Sequence, residues 1–205
     1  MAENSSQTAG EISGGENFKK IAKLGIILFT VTAITGLILG VVHEITLVPI
    51  QQTQERLKNE ALEGVLPDAD SFTPIDIAEN ADPVITEINE AKKGGEPAGY
   101  CITVKSKGYG GPIEMVVGIP STGGVRAIRI LGHTETPGLG AKAPLPQFSG
   151  QFDNVNADRL SVVKSASAAP GDIQAISGAT ITSNAVADGV NVALEYWSKE
   201  LKGGI

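Results

Sequence analysis

Apolar residues along this chain change their spacing from one region to the next, and each spacing predicts a different element. From Leu24 to Val42 no charged residue occurs. That length matches the roughly 20 residues that cross a bilayer as a helix. Lys19, Lys20 and Lys23 precede the run, and His43 and Glu44 close it. From Leu47 to Leu62 the apolar residues Leu47, Ile50, Leu57 and Ala61 fall on one stripe, with Gln54 filling it. This is helical spacing. Leu66-Pro67-Asp68 ends that helix, because proline does not readily continue one.

Residues 67–97 are rich in Pro, Asp, Glu, Ala and Gly and predict loops with one short strand near Val84–Ile88. A period of two follows. Tyr100, Ile102 and Val104 share one face of a strand, and Ile113, Met115, Val117 and Ile119 share one face of the next. Val125–Leu131 predicts a third. The glycine-rich turns between them imply an antiparallel sheet. Helical spacing returns at the end, where Val186, Val190, Ala193, Leu194, Trp197 and Leu201 form one stripe. Thr182 or Ser183 is placed to cap this helix, and Gly203-Gly204 to end it. The fold class is therefore α+β, a twisted antiparallel sheet flanked by helices behind a transmembrane helix.

Two other readings of the apolar run are weaker. A secretory signal would carry a shorter apolar core and a small-residue cleavage site, but the chain continues HEITLVPIQQTQ. A buried core helix would show a polar face, and here only scattered threonines occur. The lysines before the run place the N-terminus in the cytoplasm by the positive-inside rule. The expected organisation is a cytoplasmic tail over 1–23, flexible to about residue 17, and a transmembrane helix over 24–42. A juxtamembrane helix over 43–66 and an extracytoplasmic domain over 67–205 follow. Thr32, Gly36 and Gly40 recur every four residues, as small residues do where membrane helices pack.

Composition removes several function classes. Among 205 residues the net charge is −7, with no basic stripe, so nucleic acid is not an expected partner. Cys101 is the one cysteine, and His43 and His133 are the two histidines. A disulfide framework and a zinc site of His and Cys are thereby excluded. Cys101 reads as a small buried strand residue, with a Cys101–His133 nucleophile pair as the open alternative. There is no G-x-G-x-x-G opening a helix after a strand, and no cysteine set for an iron–sulfur cluster.

The informative stretch is Ile176-Ser177-Gly178-Ala179-Thr180-Ile181-Thr182-Ser183, directly before the last helix. A helix N-terminus presents free N–H groups and a positive dipole end, which suits a phosphate. Ser177-Gly178-Ala179-Thr180 resembles the flavinylation motif of the FMN-binding domains. These occur in the G subunit of the Rnf electron transport complex and in the C subunit of the sodium-pumping NADH:quinone reductase. Gly108-Tyr109-Gly110-Gly111-Pro112-Ile113 resembles the family's glycine turn. Gly132-His133-Thr134-Glu135-Thr136-Pro137-Gly138-Leu139-Gly140 resembles its second signature. All three stand in the family's order, and the likeness covers about residues 98–190 and the N-terminal anchor.

The resemblance implies FMN joined through its phosphate to Thr180 by a flavin transferase that uses FAD and a divalent metal. Thr182 is the nearest alternative acceptor. Ser177, Gly178, Ala179 and Thr182 would surround the phosphate. In the second signature, Gly138 and Gly140 permit close backbone approach to a flat ring. Glu135 and Thr136 offer hydrogen bonds to it, and Leu139 would pack on it. His133 is expected to pin its loop, and Lys142 and Lys164 are available as phosphate counter-charges. The family's usual aspartate six residues before the acceptor is replaced by Gln174, with Asp172 two residues further upstream. Gln174 can offer an amide but no negative charge.

The function so implied is electron relay within a complex that passes electrons between ferredoxin and NAD while moving Na⁺ or H⁺. The chain would belong to an oxidoreductase without being active alone. Its partners would be the other subunits, the transferase and the lipid bilayer. The alternatives are the corresponding component of the quinone reductase, and an anchored non-redox scaffold binding an anion at the same helix start.

Overall fold

The structure is a computed structural model that describes residues 14–165 and 169–204; side chains at 14–18, 47–49, 51 and 204 lie outside that description. The tail expected over residues 1–17 falls mostly outside it as well. The chain divides into two compact units, Met1–Thr53 and Gln54–Ile205.

Helix α1 runs over Gly14–Val65. It begins well before Leu24 and passes through His43 and Pro49 without a break, so the two helices expected here are one. Pro49 lacks an N–H, but a single missing bond is tolerated where turns on both sides supply the rest. Within α1, Lys19–Thr46 is long and apolar enough to cross a membrane. Its 28 residues extend about 42 Å, against a hydrocarbon core of roughly 30 Å. Its threonine hydroxyls are satisfied locally. The hydroxyls of Thr30, Thr32 and Thr35 donate to the carbonyls of Ile26, Leu28 and Val31 at 2.8, 3.0 and 2.9 Å. A helix whose polar side chains close on its own backbone is compatible with a hydrocarbon solvent.

The second unit is built on an antiparallel sheet in chain order: β1 (Ser71–Ile75), β2 (Ile85–Lys93), β3 (Glu96–Lys107), β4 (Pro112–Pro120) and β5 (Ala127–Gly132). The region expected to be loops with one short strand thus holds two strands and the start of a third. Gly94 and Gly95, both at positive φ (60° and 90°), make the tight turn between β2 and β3, as two-residue hairpins require. β1 contains Pro74 and lies at the sheet edge, where a missing donor is tolerated. Val125 is outside β5 and bridges to Val155 instead.

The rest of the unit comprises the short helix α2 (Pro146–Ser149), a parallel pair formed by β6 (Ser161–Val163) and β7 (Asp172–Gln174), and helix α3 (Thr180–Tyr196). One π turn over Trp197–Leu201 and a 3₁₀ turn over Lys202–Gly204 extend α3. The strand alternation puts Tyr100, Ile102, Val104, Ile113, Met115, Val117 and Ile119 on the face covered by Val186, Val190, Ala193 and Leu194 of α3. Trp197 is buried in the same core. The opposite face offers Ala91, Cys101, Val116 and Ala127 to Ala61, Leu62 and Val65 in the last turns of α1. Cys101 is fully buried, and burial pushes its thiol up to about 12. That makes it an inert core residue, which removes it as a nucleophile.

Lys58 of α1 donates to both carboxylate oxygens of Glu87 on β2, each at 2.6 Å. Burial raises the Glu87 carboxyl, but the hydrogen bonds from Lys58 and Asn89 and the charge of Lys58 outweigh it and hold it below its ordinary value. A lowered folded value contributes stability that is present above the unfolded value and lost as pH falls through the folded one. Both side chains are about one-third exposed, at 35% and 33%, so solvent screening limits the effect to about 0.2–1 kcal/mol. Lys58→Met should cost that much at pH 7 and nothing near pH 2, with urea melts at both pH values as the check. An equal loss at both would show that packing of the Lys58 stem, not the ion pair, matters.

Candidate functional site

Three segments distant in sequence converge on one cavity of about 450 Å³, within the roughly 300–1,000 Å³ usual for small-molecule sites. The turn between β3 and β4 contributes Tyr109. The loop after β5 contributes Glu135, Thr136, Leu139 and Gly140, and the start of α3 contributes Gly178 to Thr182.

The start of α3 is held from several sides. Gln151 pairs with β7 as a strand would: its amide accepts the Gln174 N–H at 2.7 Å and donates to the Gln174 carbonyl at 3.2 Å. Further along α3, Asn191 grips the backbone of Leu160, just before β6, in the same way, at 2.7 and 3.0 Å. β7 therefore delivers residues 176–179 in a fixed position. Gly178 then takes the left-handed conformation with φ +76°, which turns the chain into the helix.

No side chain caps α3; its cap residue is Ala179. The expected cap by Thr182 or Ser183 is not formed, because both lie inside the first turn. The Ser183 hydroxyl instead accepts the Ile176 N–H at 2.9 Å and donates to the Ala179 carbonyl at 3.0 Å. The first intrahelical bond runs from Ser183 N–H to the Ala179 carbonyl. The N–H groups of Thr180, Ile181 and Thr182 therefore have no carbonyl within the helix and remain available to an anion.

The hydroxyls of this segment differ sharply. Thr182 is 1% exposed and Ser183 fully buried. Thr182 donates to Glu135 Oε2 at 2.6 Å. Ser177 and Thr180 are exposed, and of these two only Thr180 lines the cavity. Among the described residues its hydroxyl has no hydrogen-bond partner.

Glu135 sits in the wall with 6% exposure. Its second oxygen, Oε1, accepts the Gly110 N–H at 2.9 Å. Both oxygens are thus engaged within the protein, so its geometry is that of a clamp between the glycine turn and α3. His133 Nδ1 accepts the Glu135 N–H at 3.3 Å, which pins the loop as expected. Leu139 is 42% exposed on the cavity wall, and Gly138 lies in the same loop with open space around it. Lys142 lines a neighbouring groove with Gln174, and Lys164 follows β6. Neither reaches this cavity, whose lining carries no Lys or Arg.

Tyr109 and Ile181, 70% and 56% exposed, complete an apolar rim with Leu139 that sequence reasoning did not single out. The one signal was an aromatic residue inside the glycine turn. An apolar rim beside a helix start with free N–H groups fits a molecule that joins a flat ring to a phosphate, as FMN does. The phosphate would be held by backbone donors rather than by an ion pair.

Comparison with known proteins agrees. Residues 108–195 match the FMN-binding domain family, so the cavity belongs to an FMN-binding domain. A crystal structure of the C subunit of the Na(+)-translocating NADH-quinone reductase from Parabacteroides distasonis has the same fold. Its TM-score is 0.56 at 20% identity, covering 75% of this chain and 96% of that one. The G subunit of the proton-translocating ferredoxin:NAD(+) oxidoreductase complex from Clostridium ljungdahlii is 40% identical over 162 residues, 79% of this chain and 83% of that one. The G subunit of the Na(+)-translocating complex from Acetobacterium woodii is 32% identical over 194 residues, 88% of this chain and 93% of that one. The chain belongs to the family of G subunits of the ion-translocating ferredoxin:NAD(+) oxidoreductase, or Rnf, complexes.

Proposed function

We propose that this chain is an electron-relay subunit that carries FMN through a phosphodiester bond to Thr180, in a membrane complex moving electrons between ferredoxin and NAD⁺. The observation that carries the reading is the state of the hydroxyls at the start of α3: within residues 177–183, Thr180 is the exposed, unpartnered one that lines the cavity, whereas Thr182 and Ser183 are buried and bonded and Ser177 stands outside the lining. The N–H groups at the start of α3 favour the remaining negative charge of a phosphodiester by about 0.3–1 kcal/mol. Leu139, Ile181 and Tyr109 would flank the ring and Gly178 and Ala179 would shape the phosphate cradle, with Ser177 just outside the lining and Thr136 and Gly138 in the facing loop.

When bound, the flavin supplies one- and two-electron chemistry, and the protein supplies position and field. Covalent attachment suits a domain outside the cytoplasm, where a dissociating cofactor would be lost by dilution. The lysines before the apolar segment support a cytoplasmic N-terminus, with residues 67–205 on the far side of the bilayer. A flavin transferase would act during maturation.

In membranes carrying the complex, reduced ferredoxin should bleach the flavin of this chain, and added NAD⁺ should restore its absorbance. A bound flavin that stays oxidised while ferredoxin reduces NAD⁺ would exclude the relay role.

A further inference from the structure

We infer that Glu135 is the positioning residue of this site: through Thr182 it fixes the start of α3, and hence Thr180, for flavin attachment. The inference rests on the reading of Thr180 given above. Glu135 is a buried carboxylate with no lysine or arginine beside it on the cavity wall. It joins two segments that no strand pairing connects. Oε1 takes the Gly110 N–H at 2.9 Å and Oε2 takes the Thr182 hydroxyl at 2.6 Å.

The surroundings leave no slack. A Cβ added at Gly108 would strike Oε1, and one added at Gly140 would strike Oε2 and the Thr182 hydroxyl. Thr134 fastens the same turn by donating to the Gly110 carbonyl at 3.0 Å. Glycines on both sides thus make the space in which one carboxylate can span turn and helix. Thr182 lies two residues after Thr180 in the first turn of α3, so its anchorage sets where the Thr180 hydroxyl and the free N–H groups stand. Carboxylates beside hydroxyls also serve as general bases, but Thr182 at 1% exposure admits no phosphorus. Attachment depends on such placement because reacting atoms must approach to about 3–3.5 Å, and a misplacement of about 1 Å can cost about 100-fold.

The step to follow is FMN transfer from FAD. A bond forms between Thr180 Oγ1 and the flavin-side phosphorus, the pyrophosphate P–O bond breaks, AMP leaves with the electron pair, and the hydroxyl proton passes to solvent. Full-length chain is incubated with FAD, Mg²⁺ and a flavin transferase, and in-gel fluorescence gives the initial rate. Folded fraction is measured in parallel by circular dichroism. Glu135→Ala should slow incorporation at least tenfold per folded molecule. Glu135→Gln, which can still bond both partners, should recover most of the rate. Thr182→Val keeps the side-chain shape and should also slow it at least fivefold, and the double variant Glu135→Ala/Thr182→Val should be no slower than Glu135→Ala alone. If Glu135→Ala fails to fold, Thr182→Val decides. Wild-type rates in Glu135→Ala or Thr182→Val, or additive losses in the double variant, would overturn the role of Glu135. No FMN on Thr180 in the wild-type chain would overturn the Thr180 reading itself.

Discussion

Replacing Thr180 by valine is expected to abolish covalent flavin completely while leaving the domain folded. Valine keeps the shape of threonine and removes the one hydroxyl at the start of α3 that is exposed and unpartnered on the cavity wall. Thr180 is exposed at the first position of α3, so the change should alter stability by no more than about 0.5 kcal/mol. The band on a denaturing gel should turn dark, and electron transfer from ferredoxin to NAD⁺ through the complex should fall to background. A protein that stayed fluorescent would place the attachment elsewhere in the chain. A dark band with intact electron transfer would separate the flavin from the relay.

The second large effect concerns the scaffold. Gly118 on β4 lies under the last turn of α1. A Cβ there would stand 2.6 Å from the Val65 carbonyl oxygen, 2.8 Å from Val65 Cβ and 2.9 Å from its carbonyl carbon. Most of these are main-chain atoms, so they cannot rotate aside, and Val65 is fully buried. Gly118→Val should therefore force α1 off the sheet and cost about 3 kcal/mol, at the upper end of overpacking effects. For a unit of this size that is about 6–12 °C in Tm. Calorimetry of the full chain in detergent checks it. A shift under about 2 °C would mean that α1 ends more loosely on the sheet than this packing implies.

How far the sequence reveals these features depends on the range of the interactions behind them. Alternation at Ile113, Met115, Val117 and Ile119 and the stripe from Val186 to Trp197 are local patterns, and both became core. β2 was mostly hidden because bulges between Ile85 and Glu87 and between Ala91 and Lys92 break its period of two. Its charged residues Glu87, Glu90 and Lys92 also resemble a loop. β1 was hidden by Pro74, which argues against a strand except at an edge. The division of α1 into two helices came from His43 and Glu44, which close the uncharged run but do not interrupt the helix.

At the site, Ser177 to Thr180 and the glycine turn are contiguous segments and were legible as such. The clamp is not contiguous. Glu135 meets Gly110 across 25 residues and Thr182 across 47, and only the folded chain shows that its oxygens are occupied rather than offered to a ring. The cap of α3 misled for a related reason. Ser183 reaches backward to Ile176, because β7 brings that N–H over the first turn.

The central claim is tested most directly by peptide mass spectrometry of the full chain after maturation by a flavin transferase. The expected result is one FMN, added with loss of water, on the peptide that contains Ser177 to Thr182, with fragmentation placing it on Thr180. An adduct on Ser177 or Thr182, or a flavin that leaves on denaturation, would contradict the account.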